Sequence, residues 1–259
     1  CTSYGEYLLK ALHERFDIPY IENPLPLGIA NTQAWLRKIG EYTGKEKEAE
    51  EVIKEELAIV MPQIEVLKKE FKGKNAKLMM SGGQARMTFV PKFAAELGME
   101  VSAVNTLEIN NILIDELKDV YDEVKVDYEV HASDMQPFEQ SHLLTRLKPE
   151  VATVCPMAGL HKREASAVRL HSWRTDWTPF GNQIGFRGAV NYGYVLQRAL
   201  NNPSLCKKLT KRTSRPYKNW WYSQKDTMYY LKKEEADEKE QAHAHGTAPT
   251  PEGVVANGN

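Results

Sequence analysis

Residues 76–104 read AKLMMSGGQARMTFVPKFAAELGMEVSAV. The short apolar run Ala76–Met80 suits a buried strand, and it stops at the turn-forming Ser81-Gly82-Gly83. From about Ala85 to Leu97 the sequence reads as a helix, and Val101–Val104 as a second short strand. Strand, helix and strand in so few residues predict two parallel strands joined by a helical crossover.

The alternation continues downstream. Ile109–Leu117 reads as a helix, Val124–Val130 as a third strand, Phe138–Leu147 as a helix and Val151–Cys155 as a fully buried fourth strand. Ala167–Leu170 is a further short strand that ends at His171-Ser172-Trp173. A loop punctuated by Gly181, Gly185 and Gly188 leads into a helix over Ala189–Leu200, which Pro203 stops. The fold class is therefore α/β, a parallel sheet with flanking helices. Upstream, Leu8, Leu12 and Phe16 recur at helical spacing, and Ile18–Ile21 reads as a short buried strand. Asn31 or Thr32 is expected to cap a helix bearing Trp35, Leu36 and Ile39, closed by Gly40 or Gly44. Glu46–Phe71 is a long charged helix with an apolar stripe, which Pro62 is expected to break or bend.

Composition narrows the function classes. The chain has 259 residues, 34 basic and 35 acidic, with 42% hydrophobic side chains. A formal charge of −1 offers no electrostatic basis for nucleic acid as the main partner. No apolar run approaches the roughly 18 residues of a membrane span, and the first residues lack a secretory pattern. Cys1, Cys155 and Cys206 are too few for a disulfide framework, which points to a reducing, cytoplasmic setting.

In an open parallel sheet ligands sit beyond the carboxyl ends of the strands. Three segments begin there: Ser81-Gly82-Gly83, Asn105-Thr106-Leu107-Glu108 and Pro156-Met157-Ala158-Gly159. The first turns free backbone N–H groups toward a helix start, which suits an anion, although a plain strand-to-helix turn reads the same way. His171 follows a strand and precedes the glycine loop, a position open to a ligand, an acid/base group or a satisfied structural histidine. Cys1 opens a helix, where the dipole favours thiolate. Cys155 reads as an inert buried thiol, Cys206 sits beside two lysines, and His243-Ala244-His245 reads as solvated. His131, His142 and His161 are histidines able to carry protons, and their spacing favours none of them.

Several of these segments, in this order, resemble one family. Cys1–Glu22 with Arg15-Phe16-Asp17-Ile18-Pro19, Trp35–Gly40, Gly73-Lys74, Gly82-Gly83, Glu96–Val101, Lys148-Pro149-Glu150, Leu170-His171-Ser172-Trp173 and Gly185–Val190 resemble nitrogenase component 1 α subunits over roughly residues 1–205. The resemblance implies a Rossmann-like sheet and an iron–sulfur cofactor of the nitrogenase type, with homocitrate one candidate for its organic acid. It implies Cys1 and His171 as metal ligands, His171 at the catalytic metal pole, and Gly82, Gly83, Arg86 and Glu108 around the cofactor. It also implies a β-type subunit in an α2β2 assembly, an ATP-dependent iron-protein reductase, and multi-electron reduction of a small-molecule substrate, dinitrogen by default. The chain would be the C-terminal portion of such a subunit.

The sequence departs from the family pattern at Ser3-Tyr4, at Gln84-Ala85-Arg86 and at Arg174–Phe180, and Lys162 is the nearest counterpart of a family lysine. A sister reductase acting on another substrate, such as methylthio-alkanes, and a cofactor-assembly scaffold stay open. The expected organisation is 1–60 as the end of a preceding α/β domain with a connecting helix, and 61–205 as the cofactor-binding domain. An aromatic packing segment over 206–231 and a disordered tail over 232–259 complete it.

Overall fold

The computed structural model describes residues 3–21, 25–82, 84–106, 109, 111–124, 127–132, 137–154, 166–169, 183–202, 218, 220, 223–226 and 229–244. The elements are α1 (Ser3–Phe16), α2 (Ile29–Thr43), α3 (Glu46–Gly73), β1 (Lys77–Gly82), α4 (Gln84–Glu96), β2 (Glu100–Thr106) and α5 (Asn111–Val124). They continue with β3 (Glu129–Ala132), α6 (Pro137–Leu147), β4 (Val151–Val154), β5 (Ser166–Arg169), α7 (Gly185–Asn201) and α8 (Tyr229–Ala244). Residues 1–215 form one compact unit and 216–259 a second. Among the described residues no helix is long and apolar enough to cross a membrane.

The five strands form one sheet in the order β3-β2-β1-β4-β5, with every described pairing parallel. The α/β class and the parallel sheet are as the sequence predicts. Parallel strands bury both faces, and alternate residues of β1 show how. Leu78 and Met80 join Val101, Val104 and Val151 in a core with residues of α3, α4 and α7, including Leu67, Phe71, Phe93 and Leu196, and with Leu97 just after α4. Met79 faces the other way, packing with Ala103, Ala152 and with Leu143 and Leu144 of α6.

Several local expectations are corrected. Ile18–Ile21 is not a strand, and Ile18 is exposed, because Pro19 lacks the N–H that a ladder needs and no described strand lies alongside. β3 starts at Glu129, not Val124, because Val124 completes the helical spacing of Leu113, Leu117 and Val120 in α5. Pro62 leaves α3 continuous over 28 residues. Burial of Val60, Ile64 and Leu67 on the flanking turns outweighs the hydrogen bond that one proline removes. The boundary expected at residue 60 thus falls inside α3, within the first compact unit. Residues 232–244 of the expected disordered tail are helical in α8, whose Glu, Lys, Gln and Ala are strong helix formers. The remainder of that tail lies outside the described residues, as does most of the aromatic segment.

The start of α2 shows tertiary structure overriding a local cap. Neither Asn31 nor Thr32 is the cap residue; Gly28 is, at φ 84°. The Thr32 hydroxyl instead donates back to the Gly28 carbonyl at 2.6 Å. The cap is supplied from the end of α4, where the Glu96 carboxylate accepts the N–H groups of Ile29 and Ala30, each at 2.8 Å. A Cβ on Gly28 would lie 3.2 Å from Phe93, so the close approach of the two segments favours glycine there. At the other end Gly44 is left-handed, as expected of a helix stop.

A second tie joins α3 to α7. The Glu70 carboxylate accepts hydrogen bonds from Lys74, Gln197 and Asn201, which hold it near pKa 2. Glu96→Ala is expected to lower stability by about 1–2 kcal/mol. A urea titration that leaves the unfolding midpoint unchanged would show that α2 needs no cap from α4.

Candidate functional site

The sheet reverses its winding between β1 and β4: β1 connects outward to β2 on one side, and β4 lies on the other. A crevice forms at such a point, beyond the carboxyl ends of the strands. β1 ends at Gly82 and α4 begins at Gln84, so a single residue separates strand from helix. Gly82 pairs in register with Thr106, the last residue of β2. Arg86 falls in the first turn of α4, at the same end of the sheet. Cys1, Gly83, Glu108 and His171 lie outside the described residues. By chain position Gly83 follows β1, Glu108 comes two residues after β2, and His171 two residues after β5.

Polar residues concentrate toward this end. Ser81, Asn105 and Thr106 are each 1% exposed and Thr153 is fully buried. Ser81, Asn105 and His131 lie side by side across β1, β2 and β3. The Gln140 amide, from α6, donates to the Ser81 hydroxyl at 3.0 Å. Thr153 Oγ1 has no hydrogen-bond partner among the described residues. Hydroxyls and amides thus replace aliphatic side chains at this buried end of the sheet, where each calls for a hydrogen-bond partner.

The edge strand carries charge. Arg146 of α6 grips the Glu129 carboxylate through both terminal nitrogens, and His131 Nε2 lies 2.9 Å from the same carboxylate. Arg146 first, and His131 after it, bring Glu129 down to about pKa 2, so it stays ionised through the physiological range. Burial pushes the Glu139 carboxyl up, against the opposing pull of His131. Of the three histidines that spacing left equal, His131 is set in an ionic cluster with Glu129 and Arg146. His142 is fully buried on α6, and His161 lies outside the described residues. Among the described residues no three metal-ligating side chains converge.

Ser81, Asn105, Gln140 and the Glu129–Arg146 pair were not singled out from sequence. Ser81 and Asn105 stood inside segments read as ligand-facing, but only the register brings them together. Nothing local in the sequence marks Gln140 or Arg146.

Residues 1–201 match the family described as nitrogenase component 1 type oxidoreductase. The chain belongs to that family. It is 28% identical over 212 residues to the nitrogenase molybdenum-iron protein alpha chain of Methanothermobacter marburgensis, covering 78% of this chain and 41% of that protein. It is 30% identical over 213 residues to the nitrogenase iron-molybdenum cofactor biosynthesis protein NifE of Methanosarcina barkeri, covering 78% and 42%. The chain thus spans about two-fifths of the length of these relatives. A solved structure titled "Nitrogenase Cp1 at pH 6.5" shares the fold at TM-score 0.62 and 17% identity, over 80% of this chain and 44% of that one.

The donor chemistry fits the cofactor that such a family implies. Uncharged O–H and N–H groups suit a cluster that brings its own anionic sulfides, while thiolate and imidazole are ligand types for its metals. Arg146→Met is expected to move acid unfolding to higher pH. Glu129, with its pKa lowered from 4.5 to about 2, contributes stability that is full above pH 4.5 and is lost as pH falls toward 2. Without Arg146 most of that contribution is missing above pH 4.5, so the less stable protein reaches its acid transition at higher pH, as circular dichroism followed through an acid titration would record. An unchanged transition would mean that the pair contributes nothing to folding.

Proposed function

We propose that this chain is part of an α-type subunit of a nitrogenase component 1-like oxidoreductase. Its reaction is multi-electron, proton-coupled reduction of a small substrate, dinitrogen by default. The observation that carries the reading is the family match over residues 1–201, which takes in both Cys1 and Leu170-His171-Ser172-Trp173. The glycine junction at the point where the sheet reverses supports it.

Cys1 and His171 would hold the iron–sulfur cofactor, a soft thiolate at one pole and an imidazole at the other. Once bound, that group supplies the electron storage and the metal surface for reduction. The chain's residues orient and enclose it. Gly82 and Gly83, lacking Cβ atoms, would let backbone N–H groups approach sulfide, and Arg86 and Glu108 would face the organic acid, for which homocitrate is the candidate. A β-type subunit in an α2β2 assembly and an ATP-dependent iron-protein reductase complete the proposal, in the cytoplasm.

A second reading rests on the 30% identity to NifE: a scaffold that holds a cofactor precursor during assembly. His171 favours the enzyme, because a scaffold must release its cluster. A reductase of another substrate, such as methylthio-alkanes, is the enzyme alternative.

Metal analysis of the assembled complex should find iron and sulfide; their absence overturns both enzyme and scaffold. Ammonia from dinitrogen marks the nitrogenase branch, and thiol release without ammonia marks the methylthio-alkane branch. His171→Ala is expected to lose cofactor or activity, and full retention of both would remove His171 from the site.

A further inference from the structure

The sheet face beneath α6 changes character along its length. Met79, Ala103 and Ala152 pack against Leu143 and Leu144 in an apolar layer. Two residues further along β1 and β2, alternation returns the chain to the same face, and there it carries Ser81 and Asn105. Gln140, one helical turn before Leu143 and Leu144 on α6, meets this row and donates to Ser81 Oγ at 3.0 Å. Both partners are buried, at 2% and 1% exposure. Aliphatic side chains fill the layer below, so packing by itself would be met here by apolar residues as well as by an amide and a hydroxyl.

The glycines after Ser81 give a reason for this polar pair. Gly82 closes β1, and α4 begins at Gln84. Two consecutive glycines have no side chains to restrict their backbone, so the direction of their peptide groups must be set by the residues on either side. Downstream the first turn of α4 does this. Upstream the anchor is Ser81, and its side chain is held from the opposite layer by Gln140. By accepting the amide N–H, the Ser81 oxygen keeps its own O–H free to donate.

We propose that Gln140 is a positioning residue for the β1–α4 junction: through Ser81 it fixes the peptide group of Gly82, where the chain leaves β1 toward the cofactor. The proposal rests on the cofactor reading given above. Gln140 touches no reacting atom; it acts two steps removed, through a hydroxyl and a backbone.

The test uses Gln140→Leu, Gln140→Glu and Ser81→Ala, both in the full chain and in the assembled complex. In the full chain, Gln140→Leu should speed amide exchange over residues 82–85 by about threefold to tenfold while β2 keeps its protection. Gln140→Glu should restore slow exchange, because a carboxyl can take the Ser81 O–H in place of giving an N–H. In the assembled complex, Gln140→Leu and Ser81→Ala should each change the electron paramagnetic resonance spectrum of the bound cofactor in the same way. Their combination should change it no further, since both cut one connection. Should Gln140→Leu fail to fold, Ser81→Ala carries both readouts. Unaltered exchange at 82–85, or effects of the two substitutions that add, overturns the positioning role. A complex without iron and sulfide overturns the cofactor reading instead, and the exchange result stands apart from it.

Discussion

The rest of this structure depends on the double burial of β1. Leu78, Met79 and Met80 are successive residues, all fully buried, so both faces of the central strand are covered. Such a strand cannot pair at a protein edge or face water; it needs parallel neighbours on each side and a helical layer above and below. β2 and β4 provide the neighbours, α4 and α7 contribute to one layer, and α6 covers the other. Reversing the winding at β1 then leaves a crevice at its carboxyl end. The position of the candidate site follows from how its central strand is buried.

Within that frame neighbouring elements are tied by polar contacts as well as by packing. Glu96 reaches from α4 to the start of α2, and Glu70 joins the end of α3 to α7. Arg146 fastens α6 to the edge strand through Glu129. Each of these carboxylates meets several donors, which keeps a partly buried charge satisfied. The uncharged Ser81–Gln140 pair differs from them in lying at the carboxyl end of the central strand, beside the glycine junction.

Much of the fold was legible. The strand-helix alternation from Ala76 to Val154, the parallel pairing and the role of Ser81-Gly82-Gly83 as a junction all follow from short apolar runs, glycine and helical periodicity. The errors arose where two local signals competed. Pro62 carries a strong breaking signal, but the buried residues on the neighbouring turns decide. Val124 fits either a strand start or a helix end, and α5 claims it. Thr32 has the chemistry of a cap, yet a carboxylate 64 residues further along the sequence takes that role, while Thr32 bonds back to Gly28.

By itself the sequence determined the α/β class, the order of the elements from β1 to β4 and the family to which residues 1–201 belong. Those properties are carried by residue type and spacing along the chain, which periodicity and turn chemistry express directly. Only the tertiary structure decided the strand order, the row Ser81–Asn105–His131, the Gln140 contact and the clamping of Glu129 by Arg146. The side-chain contacts among them join residues 17 and 59 positions apart. Their meeting is fixed by strand register and helix placement, which emerge when the layers pack and leave no mark on the neighbouring sequence.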